Sequence, residues 1–137
     1  GDHKPWMGNG NSVYTEIGVD LDVSTLEGFY NYYATPYVIY ANEAARELLG
    51  SDFAGDGGDF SPCFLMARLF DECGWEGPGL MQLQREMREV SPLMSSNGWR
   101  MQDGQLTAAL EGAAEDENNR YLRAQYYIET HLKEDAS

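Results

Sequence analysis

Asp2-His3 is the pair in this sequence best equipped for chemistry, because a carboxylate oxygen and an imidazole nitrogen are both good ligands for Mn²⁺ or Zn²⁺. Adjacent residues on a regular strand point to opposite faces. Both can therefore reach one ion only where a strand ends and the backbone turns, as Gly1 before the pair and Pro5 after it allow. Two ligands do not complete a metal site, and a bare Asp-His dipeptide describes a solvated surface pair more often than a metal site.

The other acidic groups carry less. Asp20 with Asp22, and the Asp52, Asp56, Asp59 loop, invite a Ca²⁺ reading, but neither has alternating ligands, a central Gly and a Glu at the twelfth position. They read as solvated loop acids. His131, among Glu129, Lys133 and Glu134, reads as a surface residue. Phe29, Tyr30, Tyr32, Tyr33, Tyr37 and Tyr40 could form a carbohydrate platform, but their place at a helix-strand junction favours core packing. Cys63 and Cys73 fall on one expected helix, where ten residues at about 1.5 Å rise set the backbones roughly 15 Å apart. No disulfide spans that distance, and the two read as small buried hydrophobes.

The elements that must position these residues can be read from periodicity and punctuation. Residues 1–22 form a Gly-, Asn- and Pro-rich loop with Val13, Tyr14 and Ile17 as its buried points. Ser24 and Glu27 have capping-box spacing and open a short helix carrying Leu26, Phe29, Tyr30 and Tyr33, which Pro36 ends. Tyr37-Val38-Ile39-Tyr40 is a β-rich apolar run suited to a strand buried on both faces. Asn42 caps a helix over 43–49 that Gly50 closes. Ser61 and Pro62 start a helix burying Phe64, Leu65, Leu69 and Phe70 up to Gly74. A further helix around 80–90 places Leu80, Leu83 and Met87 on one face before Pro92.

Asp103-Gly104 between Trp99-Arg100-Met101-Gln102 and Gln105-Leu106-Thr107 predicts a hairpin with a type I′ turn, Trp99 and Met101 sharing a face. Residues 111–119 read as an acidic linker, followed by a helix over 120–133 with Leu122, Tyr126 and Tyr127 inward. One core strand and a peripheral hairpin against four or five helices make a poor inventory for an independent α/β domain. The 137 residues therefore read as a single partial α/β domain, one piece of something larger.

Composition excludes some classes. Apolar residues are 42% of the chain and aromatics 12%, too rich in large side chains for a disordered acidic tail. The net charge of −14, from 23 acidic and nine basic residues, repels phosphate backbones and argues against nucleic acid. No apolar run approaches the roughly 20 residues of a membrane span, and no signal peptide opens the chain.

Four blocks, in order, carry a family resemblance. Gly1-Asp2-His3-Lys4-Pro5-Trp6-Met7-Gly8 resembles the Gly-Asp-His-x-Pro-x-x-Gly segment of lipoteichoic acid synthases and related phosphoglycerol transferases of the sulfatase and alkaline-phosphatase superfamily. The run from Tyr33 to Asn42 is similar to their Thr-Pro-aromatic-aliphatic-Ile-aromatic-Ala-Asn strand. Val90 to Gly104 resembles their segment with a Gly-aromatic step and an Asp-Gly turn, and Tyr121 to Tyr127 their closing Gln-Tyr helix.

The resemblance implies the C-terminal part of an alkaline-phosphatase-like α/β sandwich, in a membrane-anchored protein whose catalytic domain faces outward. It implies a divalent metal, Mn²⁺ first with Mg²⁺ or Zn²⁺ as alternatives, held by Asp2 and His3 together with an upstream Glu and an upstream Thr nucleophile. Lys4 could then meet a substrate phosphate, and Trp6 could wall a glycerol-phosphate or lipid headgroup; each is also readable as an ordinary loop residue. The donor would be a phosphatidylglycerol-type lipid, and the product a cell-envelope glycerol-phosphate polymer. With the upstream ligands outside it, this stretch alone would be inactive and would expose apolar surface prone to self-association. A sulfatase, a phosphodiesterase or a phosphoethanolamine transferase would share the metal pair. An acidic, non-catalytic binding module is the reading from a different class.

Overall fold

The computed structural model describes residues 5–50 and 54–131. They are mainly helical, with one small two-stranded antiparallel sheet, and the chain divides into two compact units, Gly1–Ile39 and Tyr40–Ser137.

The first unit is organised by turns. Gly8 has φ 77°, and Gly10 and Asn11 follow in the left-handed region at 61° and 62°, winding the 3-10 turn Asn9–Asn11 into helix α1, Ser12–Glu16. The expected loop thus contains a short helix, and Ile17 lies exposed rather than buried. Helix α2, Leu26–Tyr33, begins one residue later than capping-box spacing predicts. The hydroxyl of Thr25 accepts from Gly28 N at 3.0 Å, while the backbone N–H and hydroxyl of Ser24 both donate to Asp22 Oδ1. Phe29 is the buried apolar anchor of this helix.

The run Tyr37 to Tyr40 overturns the expected core strand. It forms no strand, and Val38 and Tyr40 are 86% and 78% exposed. Its β-propensity describes side chains that suit a pleated, half-buried surface; a strand also needs a neighbour to complete its backbone hydrogen bonds.

The second unit contains the larger hydrophobic core. Asn42 caps helix α3, Glu43–Leu49, accepting from Ala45 N at 2.9 Å, and Gly50 closes it at φ 64°. A 3-10 turn, Pro62–Phe64, leads into α4, Leu65–Glu72, and α5 spans Gly79–Val90. Ser61 stands at the expected cap position, but its hydroxyl is engaged elsewhere: it accepts from Met94 N at 2.7 Å and donates to Met94 O at 3.1 Å. Phe64 at the end of the 3-10 turn and Ala67 in α4 are fully buried, Leu69 and Phe70 half-buried, and Leu65 exposed. Strands β1, Arg100–Gln102, and β2, Gln105–Thr107, pair with Arg100 opposite Thr107. Asp103 and Gly104 turn the chain at φ 52° and 74°, the two positive angles of a type I′ turn.

Helix α6 runs Ala113–His131 and absorbs most of the expected linker. Its Ala-Ala-Glu-Asp-Glu start suits a helix, because acids in the first turn complement the positive end of the helix dipole. The inward face also differs from expectation. Ala114 and Tyr121 are buried, whereas Leu122, Tyr126 and Tyr127 point outward. Phe64, Met87, Leu110, Ala114 and Tyr121 make the core, with Phe60, Leu80, Leu83, Val90 and Met94 packed on it. No helix of the described residues is long and apolar enough to cross a membrane.

Candidate functional site

Asp2, His3 and Lys4 lie outside the described residues, as does Asp52. The loop that follows the pair is described, and it is tied down. The phenol of Tyr14 donates to Pro5 O at 2.8 Å, and Met7 N donates to Asn11 Oδ1 at 3.1 Å, with Asn11 itself buried. Gly8 requires its missing side chain twice over: φ is positive, and a Cβ there would come 2.6 Å from Ser12 Oγ. Trp6 is 67% exposed, so it does not anchor the loop in a core.

Among the described residues no group of three or more His, Cys, Asp or Glu could hold a metal. The donor pair Asp2-His3 suits Mn²⁺ or Zn²⁺ in type.

The other acidic candidates have structural work. Asp20 Oδ1 accepts from Asp22 N at 2.9 Å, and Asp20 Oδ2 accepts from the Thr25 hydroxyl at 3.2 Å. Asp22 is held below the ordinary aspartate range, first by the Ser24 hydroxyl and then by the Ser24 backbone N–H. Asp56 accepts from Gly58 N at 2.9 Å. These carboxylates spend their lone pairs on turns, which fits loop acids. His131 stacks on Tyr127 with ring centroids 4.0 Å apart on the exposed end of α6. Of the aromatic set, Phe29 is core and Tyr32, Tyr33 and Tyr40 are exposed, with Tyr32 and Tyr33 edge to face at 4.8 Å.

Neither cysteine is a buried hydrophobe, since Cys63 is exposed and Cys73 half-buried. The protein around the Cys63 sulfur pushes its thiol up, against the pull of its own backbone N–H and of Arg100. That direction suits an unreactive thiol, not a nucleophile.

Three arrangements in the second unit escaped sequence reasoning. Asp71 accepts from Arg88 Nη2 at 2.6 Å and from Arg85 Nε, while Arg85 also donates to the carbonyls of Trp75 and Glu76. This guanidinium pins the loop between α4 and α5. The buried Tyr121 hydroxyl accepts from Gln125 Nε2 at 3.0 Å and lies 3.5 Å from Gln84 Nε2, which joins α5 to α6. An open cleft of about 580 Å³ runs between the end of α5, the hairpin turn and the start of α6. The i, i+3 spacing of Arg85 and Arg88 was a visible signal. The cleft had none, because its walls come from three separate segments, the end of α5, the hairpin turn and the start of α6.

No family model, curated protein or solved structure matches this chain.

Proposed function

We propose that the chain is the C-terminal portion of a metal-dependent phosphoglycerol transferase, built on an alkaline-phosphatase-like α/β sandwich that faces outward from a membrane-anchored protein. Asp2 and His3 hold a divalent metal, Mn²⁺ foremost; Lys4 and Trp6 contact the glycerol-phosphate headgroup of a phosphatidylglycerol-type donor. When bound, such an ion polarises a phosphoryl oxygen and offsets charge that develops on it. Support comes from the four ordered blocks of resemblance. The single structural observation that carries it is Gly8, the last Gly of the Gly-Asp-His-x-Pro-x-x-Gly block, where positive φ and the nearby Ser12 leave no room for a side chain. The turn at Gly8 is tied back through Tyr14 to Pro5, so the segment that follows the pair has a fixed course.

The test is Mn²⁺-dependent release of glycerol phosphate from a fluorescent phosphatidylglycerol by the whole protein. Asp2→Ala or His3→Ala should lower the rate by about a hundredfold or more, as loss of a metal ligand does. Lys4→Ala should mainly raise KM. Full activity in both ligand variants overturns the assignment, and turnover of an aryl sulfate instead of the lipid moves the protein to the sulfatase branch.

A further inference from the structure

Independently of that reading, we propose that Asn9 is a site of spontaneous chemical modification, converting to aspartate and isoaspartate through a cyclic imide formed with Gly10. The sequence contains two Asn-Gly steps, Asn9-Gly10 and Asn97-Gly98. In such a step the backbone nitrogen after the asparagine can attack the side-chain carbonyl, because glycine has no Cβ to crowd the approach. Both pairs are exposed, and a Cβ on either glycine would meet nothing within 4 Å, so neither burial nor crowding separates them. What separates them is the attacking nitrogen. Gly98 N–H donates to Ser95 O at 3.1 Å, inside a turn that Ser95 N–H closes on Trp99 O at 2.9 Å and that Asn97 N–H ties to Ser95 Oγ at 3.1 Å. Gly10 lies where the backbone leaves the helical path of its 3-10 turn, at φ 61° and ψ 29°. Among the described residues neither its N–H nor the Asn9 carboxamide has a hydrogen-bond partner.

The conversion needs only water and its hydroxide. Hydroxide takes the Gly10 amide proton, the nitrogen bonds to Asn9 Cγ, and the Cγ–Nδ2 bond breaks to release ammonia. Water then opens the imide. Cleavage between Cγ and the Gly10 nitrogen leaves aspartate on an unchanged backbone. Cleavage between the Asn9 backbone carbonyl and that nitrogen leaves isoaspartate, in which the main chain runs through Cγ and is longer by an atom. Either product adds a negative charge to a chain at −14. Isoaspartate also lengthens the turn in which Ser12 N–H donates to Asn9 O and Met7 N donates to Asn11 Oδ1 at 3.1 Å. The loop that follows Asp2-His3 thus loosens as the protein ages, while the turn around Asn97 keeps its form.

The test holds the full chain in mildly alkaline buffer at body temperature, folded in one sample and in concentrated urea in another. Both asparagines are followed by peptide mass mapping, with digestion in acid and a separation that resolves aspartate from isoaspartate. Freeing the Gly98 nitrogen costs its bond to Ser95 and the turn around it, so in the folded chain Asn9 should convert about tenfold faster than Asn97. In urea, where both steps are open coil, the two rates should come together. Asn9→Gln, whose longer side chain needs a larger ring, should abolish conversion at that position and leave the rate at Asn97 unchanged. Amide NMR signals of Met7, Asn11 and Ser12 should shift in the aged protein while those of Ser95 to Trp99 stay. Conversion led by Asn97, or equal at both sites in the folded chain, overturns the proposal. So does a lead by Asn9 that persists in urea, which would put the cause in the flanking residues and not in the fold.

Discussion

The two compact units of this chain are held together by different means. In the first, the described side-chain hydrogen bonds join residues two to nine positions apart, such as Asp20 to Asp22 and Tyr14 to Pro5. Its buried side chains are few, Phe29 and Asn11 chief among them. In the second, bonds reach across 33 to 37 positions, from Ser61 to Met94 and from Gln84 to Tyr121, around a core of five buried side chains. Local turn chemistry can shape a loop with little core, whereas a core gains stability only when distant segments meet and bury apolar area. A ligand-bearing loop such as the one proposed after Asp2-His3 belongs to the first kind.

The largest effect expected is in the second unit. Phe64 is fully buried against Tyr121, with ring centroids 6.3 Å apart, and Phe64→Ala should cost about 3–5 kcal/mol, a large part of a small domain's total stability. The indole NMR signals separate the units, because Trp75 and Trp99 lie in the second and Trp6 in the first. On urea titration of the variant, the Trp75 and Trp99 signals should collapse at lower denaturant. Unmoved midpoints there would break the contrast between the units.

Gly28→Ala should cost less, about 2 kcal/mol, and act on the first unit. Gly28 lies within α2, where alanine ordinarily stabilises. Here a Cβ would sit 2.1 Å from the carbonyl oxygen of Asp22 and 2.7 Å from its nitrogen, and that backbone is fixed by the Asp20-Asp22-Ser24 turn. The sign therefore reverses. Faster hydrogen exchange at Phe29 and Tyr30 in the variant checks it; exchange slowed by the substitution would show that the turn gives way.

What was legible in the sequence follows the same division between local and distant causes. The hairpin was legible because only positive φ at two successive positions makes a type I′ turn, and Asp103-Gly104 supplies it. The Asn42 cap and the Gly50 stop of α3 were legible for similar reasons. The face of α5 was readable because Leu80, Leu83 and Met87 recur at helical spacing. In α6, Leu and Tyr occupy both faces, at 121, 122, 126 and 127. Packing chose Tyr121, whose hydroxyl finds Gln84 and Gln125, and left Leu122 and Tyr126 outside. The Tyr37 to Tyr40 run failed as a core strand because propensity cannot supply a pairing partner. Of the candidate site, the sequence expectation of a turn at Asp2-His3, with Gly1 before and Pro5 after, falls on residues outside those described; the exposure of Trp6 depends on packing and was not readable.

The smallest effects expected lie at the two ends of the pH scale, one in each unit. Asp22 titrates below the ordinary 3.8 because the Ser24 hydroxyl, and then the Ser24 N–H, stabilise its carboxylate, while desolvation opposes them weakly. A depressed acid contributes stability that is present above its unfolded pKa and lost as pH falls through the folded one, so the turn before α2 should loosen only below about 3.8. Tyr121 is shifted the opposite way, above 10.0, chiefly by burial. Its contribution is fully present below 10.0 and is lost as pH climbs through that value and on to the higher folded pKa, which should loosen α6 from α5 in alkali. Side-chain NMR titration reads both. Ser24→Ala should return Asp22 toward 3.8 without touching Tyr121. A wild-type Asp22 titrating at 3.8 or above would mean that the Ser24 bonds do not hold in solution, and that the first unit depends on something other than its local turns.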